Sequence, residues 1–142
     1  MTKLLSITLL LVAFSCAATE VTSFVNLLTT PEKFDSKSVQ TVGVISVEFE
    51  GSKLYLNNES YTARVYENAI RHSLYFSEEN DQLDLFAKRI EGKLVRVVGL
   101  FKYGGDDVEP KSSIGFFESI NYLRTLDPKE RIFGFGEKLE CQ

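Results

Sequence analysis

Residues 46–56, SVEFEGSKLYL, set Glu48 and Glu50 two apart in a segment whose alternation makes it extended. Carboxylates at i and i+2 on a strand share a face about 7 Å apart. That separation falls within the span of an inverting glycosidase, where one carboxyl protonates the leaving group and the other activates a water. Spacing alone therefore admits a carboxylate-dependent hydrolase using Glu48 and Glu50. Context argues against it: the pair stands just ahead of Gly51, at a hairpin end that water normally reaches. No apolar neighbour in sequence supplies the pocket that would hold one carboxyl protonated. The plainer expectation is a solvated hairpin. A middle reading joins Glu48, Glu50, Glu59, Tyr61 and Asn68 in one hydrogen-bonded network bracing the first hairpin against the loop after the second strand. Those five with Tyr55 are the candidate ligand-binding residues.

Other chemistry has little support. His72 is the only histidine, too few ligands for a usual zinc site, and its alternating position suits a structural role. No nucleophile elbow, phosphate-cradling glycine loop or Cys–His pair is present. Asp106, Asp107 and Glu109 share one loop and could offer oxygens to a hard cation, but their spacing matches no calcium loop, and a solvated acidic loop is expected. No catalytic residue, metal or cofactor is assigned. Tyr55, Tyr61, Tyr66, Tyr75, Phe76, Phe101, Tyr103, Phe116, Phe117 and Tyr122 are numerous enough to build a stacking surface, yet most are expected in the core.

The elements that must carry these residues follow a leader. Lys3, an apolar run over residues 4–14 and small residues at 15–18 read as a secretory signal peptide, residues 1–17. The run is shorter than the roughly 20 residues a membrane-spanning helix needs. Cleavage after Ala17 or after Ala18 both satisfy the small-residue rule. Alternatively the run AFSC resembles a lipoprotein box with Cys16 as the lipidated residue, and acylation there would be the route to a membrane. The expected location is exported, periplasmic or secreted. Past the leader the chain keeps all 20 acidic residues and 15 of its 16 basic ones, for a formal charge of −5. That excess opposes nucleic-acid binding, which rests on basic contacts. With Cys16 removed or acylated only Cys141 remains, so no internal disulfide forms and stability falls to an aromatic-rich core.

Residues 18–126 read as one domain and 127–142 as a tail. Phe24, Val25, Leu27 and Leu28 recur at helical spacing before Pro31, giving a short N-terminal helix. From Ser38 to Glu50 the period is two, with Val39, Thr41, Gly43, Ile45, Val47 and Phe49 on one side. Gly43 within this long first strand suggests a bulge or bend. A hairpin at residues 50–52 leads to a second strand, a polar loop with a helical turn capped by Asn58, and a third strand from Ala69. Residues 77–92 form a helix with Leu83, Leu85, Phe86 and Ile90 on one side and Gly92 as its stop. A fourth strand with Gly99 inside it, a loop and a fifth strand complete the domain. The expected class is β-rich, all-β with helical insertions: a five-stranded OB-like barrel with a helix between strands three and four. An SH3-like barrel would lack that helix, and a ferredoxin-like sandwich would alternate differently.

The runs PEKF, VEFEG, LYL, ENAI, IEGKLVRVVGLF and IGFF together resemble a group of small exported bacterial proteins whose function is uncharacterised. The resemblance covers nearly all of residues 25–126. It implies an OB-like barrel and supplies no reaction. The loop KYGGDDVEPKSS is longer and more acidic than that pattern.

The functional expectation is an exported, non-enzymatic binding module of the cell envelope for a protein, peptide or glycan. The alternatives are the Glu48/Glu50 hydrolase and a structural lipoprotein anchored through Cys16.

Overall fold

This computed structural model describes residues 18–48, 52–72, 74, 81–104, 114–127 and 134–135. In chain order the elements are β1 (Glu20–Val21), α1 (Phe24–Thr29), β2 (Lys37–Ser46), β3 (Lys53–Tyr55), α2 (Asn58–Thr62), β4 (Ala69–His72), α3 (Asp81–Ile90), β5 (Leu94–Tyr103), β6 (Gly115–Thr125) and β7 (Gly134–Phe135). β2 pairs antiparallel with β3, and β3 with β4; β4 runs parallel to β6, β6 antiparallel to β5, and β5 antiparallel to β2. The last pairing closes a five-stranded barrel in OB order, with α3 between its third and fourth strands. Two additional short strands were not expected: β1 adds to β2, and β7, from the tail, adds to β6.

Local chemistry explains the helices. Ser23 caps α1 by accepting from the Asn26 N–H at 3.1 Å, which turns Phe24 and Leu27 inward. Pro31 then opens a 3-10 turn, Pro31–Phe34, that buries Pro31 and Phe34. Asn57, not the expected Asn58, caps α2 by accepting from Ser60 N–H at 2.8 Å. In α3 the buried positions are Ala87 and Ile90 with Phe86 half-buried, whereas Leu85 is 58 % exposed. Leu85, five residues before Ile90, falls off the i, i+3, i+4 stripe.

β2 is shorter than the alternation suggested. It stops at Ser46 because the next donors leave the ladder: Val47 N–H goes to the Glu91 carboxylate and Glu48 N–H to Ser52 Oγ at 3.0 Å. Its register against β5 runs unbroken through Gly43, so no bulge lies there. Val44 instead pairs with both Leu94 and Tyr55, the point at which β2 passes from β5 to β3. The irregularity falls at Gly99, where the β5–β6 register shifts and a Cβ would stand 2.1 Å from the Ser119 carbonyl oxygen.

The barrel interior holds Val39, Ile45, Leu54, Ile70, Val95, Val97, Phe101, Phe117 and Leu123, joined by Phe24 and Leu27 of α1 and Ile90 of α3. Phe101 and Phe117, paired across β5 and β6, meet edge to face at 5.8 Å. A second cluster lies on the outer face, where Val44, Tyr55 and Ala69 share one register row under Tyr61. The alternation predicted an outward side of β2 that turns polar and wet; α2 covers it, so Val44 and Ser46 are buried as well.

Candidate functional site

The first hairpin, α2 and the end of α3 converge on Ser46. Its hydroxyl donates to Glu48 Oε1 at 3.0 Å or to Glu91 Oε1 at 3.3 Å, one proton shared between two acceptors. Glu91 also accepts from the Val47 N–H and, at 2.7 Å, from the Tyr61 hydroxyl. A carboxylate at the C-terminal end of a helix faces the wrong end of its dipole; these donors offset that. The position of Glu91 is set by Gly92, whose φ of +68° ends α3, whose N–H donates to the Ile45 carbonyl at 2.8 Å and whose successor Lys93 accepts from Ile45 N–H at 3.0 Å.

Arg64 closes the network from the other side. It pairs with Glu48 and donates to Ser46 Oγ at 3.3 Å, and its guanidinium stands 5.3 Å from the Tyr61 ring centroid. Its backbone is left-handed, φ +54°, a conformation in which glycine would be less strained. Tyr61 in turn meets Tyr55 edge to face at 5.8 Å. The Tyr55 hydroxyl lies near the Arg64 guanidinium but makes no hydrogen bond of good geometry. Burial raises the Tyr55 pKa, and Arg64 works against that rise. The Tyr61 pKa is raised chiefly because its proton is held by Glu91, with burial adding to it.

Beneath this network sits His72, fully buried. Leu74 N–H donates to its Nδ1 at 3.3 Å, so Nε2 carries the proton and donates to the Ser46 carbonyl at 3.1 Å. Burial lowers its pKa to about 4. The turn between β2 and β3 is stapled by Ser52, whose hydroxyl donates to the Glu48 carbonyl at 2.9 Å and whose own carbonyl accepts from His72 N–H.

The structure thus brings together three of the six residues singled out from sequence: Glu48, Tyr55 and Tyr61. Glu59 and Asn68 are exposed and take no part in the network. Tyr55 is fully buried and packs rather than presents a surface. Glu50 lies outside the described residues, as do Cys16, Tyr75, Phe76, the loop acids Asp106, Asp107 and Glu109, and Cys141. Sequence reasoning missed Ser46, Arg64 and Glu91. For Glu91 a signal was available: an acid directly before a helix-ending glycine, where a base is favoured.

A second feature lies on the outer face beside the network. Lys53 pairs in register with Arg71, Arg71 with Phe116, and Phe116 with Lys102, making one row across β3, β4, β6 and β5. Lys53 Nζ stands 4.8 Å from the ring centroid of the exposed Tyr66, and the Arg71 guanidinium 5.9 Å from that of Phe116. Lys102 Nζ reaches Ser36 Oγ at 3.1 Å. Among the described residues no group of acids, histidines or cysteines is placed to hold a metal, and no helix is long and apolar enough to cross a membrane. The chain matches no protein-family model, no curated protein and no solved structure.

Proposed function

We propose that this chain is an exported, non-enzymatic binding module of the cell envelope, and that its contact surface is the outer face around β3 and β4. The observation that carries the reading is the row Lys53–Arg71–Phe116–Lys102, three cations and one aromatic ring, with Tyr66 set against Lys53, on a chain of net charge −4. Three charges in one register line with rings beside them suit an extended acidic ligand, a peptide or a glycan, laid across the strands. The Ser46 network is the support for this surface. It fixes residues 57–68, which carry Tyr66, against the hairpin that carries Lys53.

Of the Glu48/Glu50 pair that a hydrolase would use, Glu48 is held by neighbouring side chains and Glu50 lies outside the described residues. Glu48 accepts from Ser46 and Arg64, Glu91 from Tyr61 and a backbone N–H, and His72 bridges two backbone groups. The test is fluorescence anisotropy with two labelled probes, polygalacturonate and a glutamate-rich peptide. Wild-type protein is expected to bind at least one with an affinity that falls as salt rises, and the double variant Lys53→Glu, Arg71→Glu to lose it. Binding by neither probe, or binding indifferent to both substitutions, overturns the reading.

A further inference from the structure

The outer face of the other half of the barrel carries a different arrangement. Arg96 of β5 pairs in register with Arg124 of β6, in a row that continues to Val42 of β2 on one side and Gly134 of β7 on the other. Both side chains point outward, since Val95, Val97, Leu123 and Thr125 on either side of them are buried in the barrel. Like charges directly opposite on adjacent strands repel at the Cα separation of about 5 Å that an antiparallel pair imposes. Among the described residues nothing relieves this. Neither arginine is in an ion pair among the described residues, and the flanking positions Gln40, Val98, Tyr122, Val44 and Leu94 are all uncharged. Gly134 brings no side chain over Arg124.

A guanidinium pair whose stems simply lie along Val42 and Leu94 would account for their partial exposure. It would not account for the Nε atoms. Both are shielded from solvent and neither meets an acceptor, so each half-buried arginine carries an unpaired donor. Two planar forks carried by register partners on adjacent strands offer the donor set that an oxyanion accepts, two N–H groups to each of two oxygens.

We propose that Arg96 and Arg124 form an oxyanion site that takes a phosphate or carboxylate group between their guanidiniums. This surface is separate from the Lys53–Arg71 row, and the assignment stands whether or not that row binds an acidic polymer. The bound group neutralises the cross-strand repulsion and joins β5 to β6 through the anion.

The experiment is side-chain nitrogen NMR on the ¹⁵N-labelled protein, following the arginine Nε–H signals while inorganic phosphate, phenyl phosphate or acetate is titrated against chloride at constant ionic strength. The signals of Arg96 and Arg124, assigned by their disappearance in R96Q and R124Q, are expected to shift together and to saturate. Each single variant is expected to bind roughly tenfold or more weakly, the loss of a charge-assisted contact. Tighter binding of phenyl phosphate than of inorganic phosphate assigns the anion to a larger ligand; the reverse order assigns it to the free ion; a response to acetate alone assigns a carboxylate. No saturable shift of these two signals in the wild-type protein by tens of millimolar overturns the proposal, whatever the variants do. So does a shift that persists in both variants or that vanishes in the Lys53→Ala, Arg71→Ala protein.

Discussion

The Tyr61 hydroxyl donates to Glu91 Oε1 across 2.7 Å, tying a helix in the loop after the second barrel strand to the last turn of the helix before the fourth. Thirty residues separate the two in sequence, and the bond fixes the covering loop over the Val44–Tyr55–Ala69 patch. Removing it tests whether the network is the brace it looks like.

Glu91→Ala strands the Val47 N–H and the Tyr61 hydroxyl together and is expected to destabilise the fold by about 2–4 kcal/mol, while Tyr61→Phe costs about 1–2 kcal/mol. Urea unfolding of the two single variants and the double variant closes a cycle. A coupling energy near zero would mean that the two groups act independently.

Arg64 separates strain from pairing. Its ion pair with Glu48 is partly exposed on both sides and contributes about 0–1 kcal/mol, whereas its left-handed backbone costs a non-glycine residue about 1 kcal/mol. Arg64→Gly is therefore expected to leave stability nearly unchanged, and Arg64→Ala, which keeps the strain and loses the pair, to fall about 1 kcal/mol below Arg64→Gly. Equal stability of the two variants would show that the loop relaxes.

His72 gives a pH dependence with a definite sign. Its folded-state pKa, lowered to about 4 from 6.5, means that the unfolded chain takes up the proton first. Its contribution is whole above pH 6.5, drains away as pH falls from 6.5 to 4, and is gone below. The drop is about 3 kcal/mol. Urea midpoints measured across that range should show it, and a His72→Gln variant should show a flatter profile.

Gly99→Ala sets a Cβ 2.1 Å from a backbone oxygen at the β5–β6 bulge, where no side chain can swing aside. A loss of about 3 kcal/mol or more is expected in thermal unfolding. Gly43→Ala, whose nearest obstacle is the Leu54 side chain at 2.7 Å together with a carbonyl at 2.8 Å, should be less severe because Leu54 has some freedom to move.

The proposed export is tested by mass spectrometry of the N-terminus of the protein purified from its host. A free Ala18 or Thr19 agrees with signal cleavage after Ala17 or Ala18. An acylated Cys16 makes the protein a lipoprotein and moves the contact surface to a membrane.

The order of five strands and a helix was legible in the sequence because each element is written locally: period two through Val39, Thr41 and Ile45, an apolar stripe ending at Ile90 and Gly92, and turn residues between. Closure into a barrel followed from that order. The site was less legible. Glu48 and Tyr61 stand near one another in sequence and both enter the Ser46 network, but their partner Arg64 carries no local mark of it, Glu91 carries only its place before Gly92, and Glu59 and Asn68, equally polar and equally near, point to solvent. Which of several similar polar side chains meet is set by where α2 and α3 come to rest on the barrel, a long-range packing outcome. The same holds for the cation rows. Lys53, Arg71 and Lys102 are far apart along the chain, as are Arg96 and Arg124, and only the register of closed strands sets each group side by side.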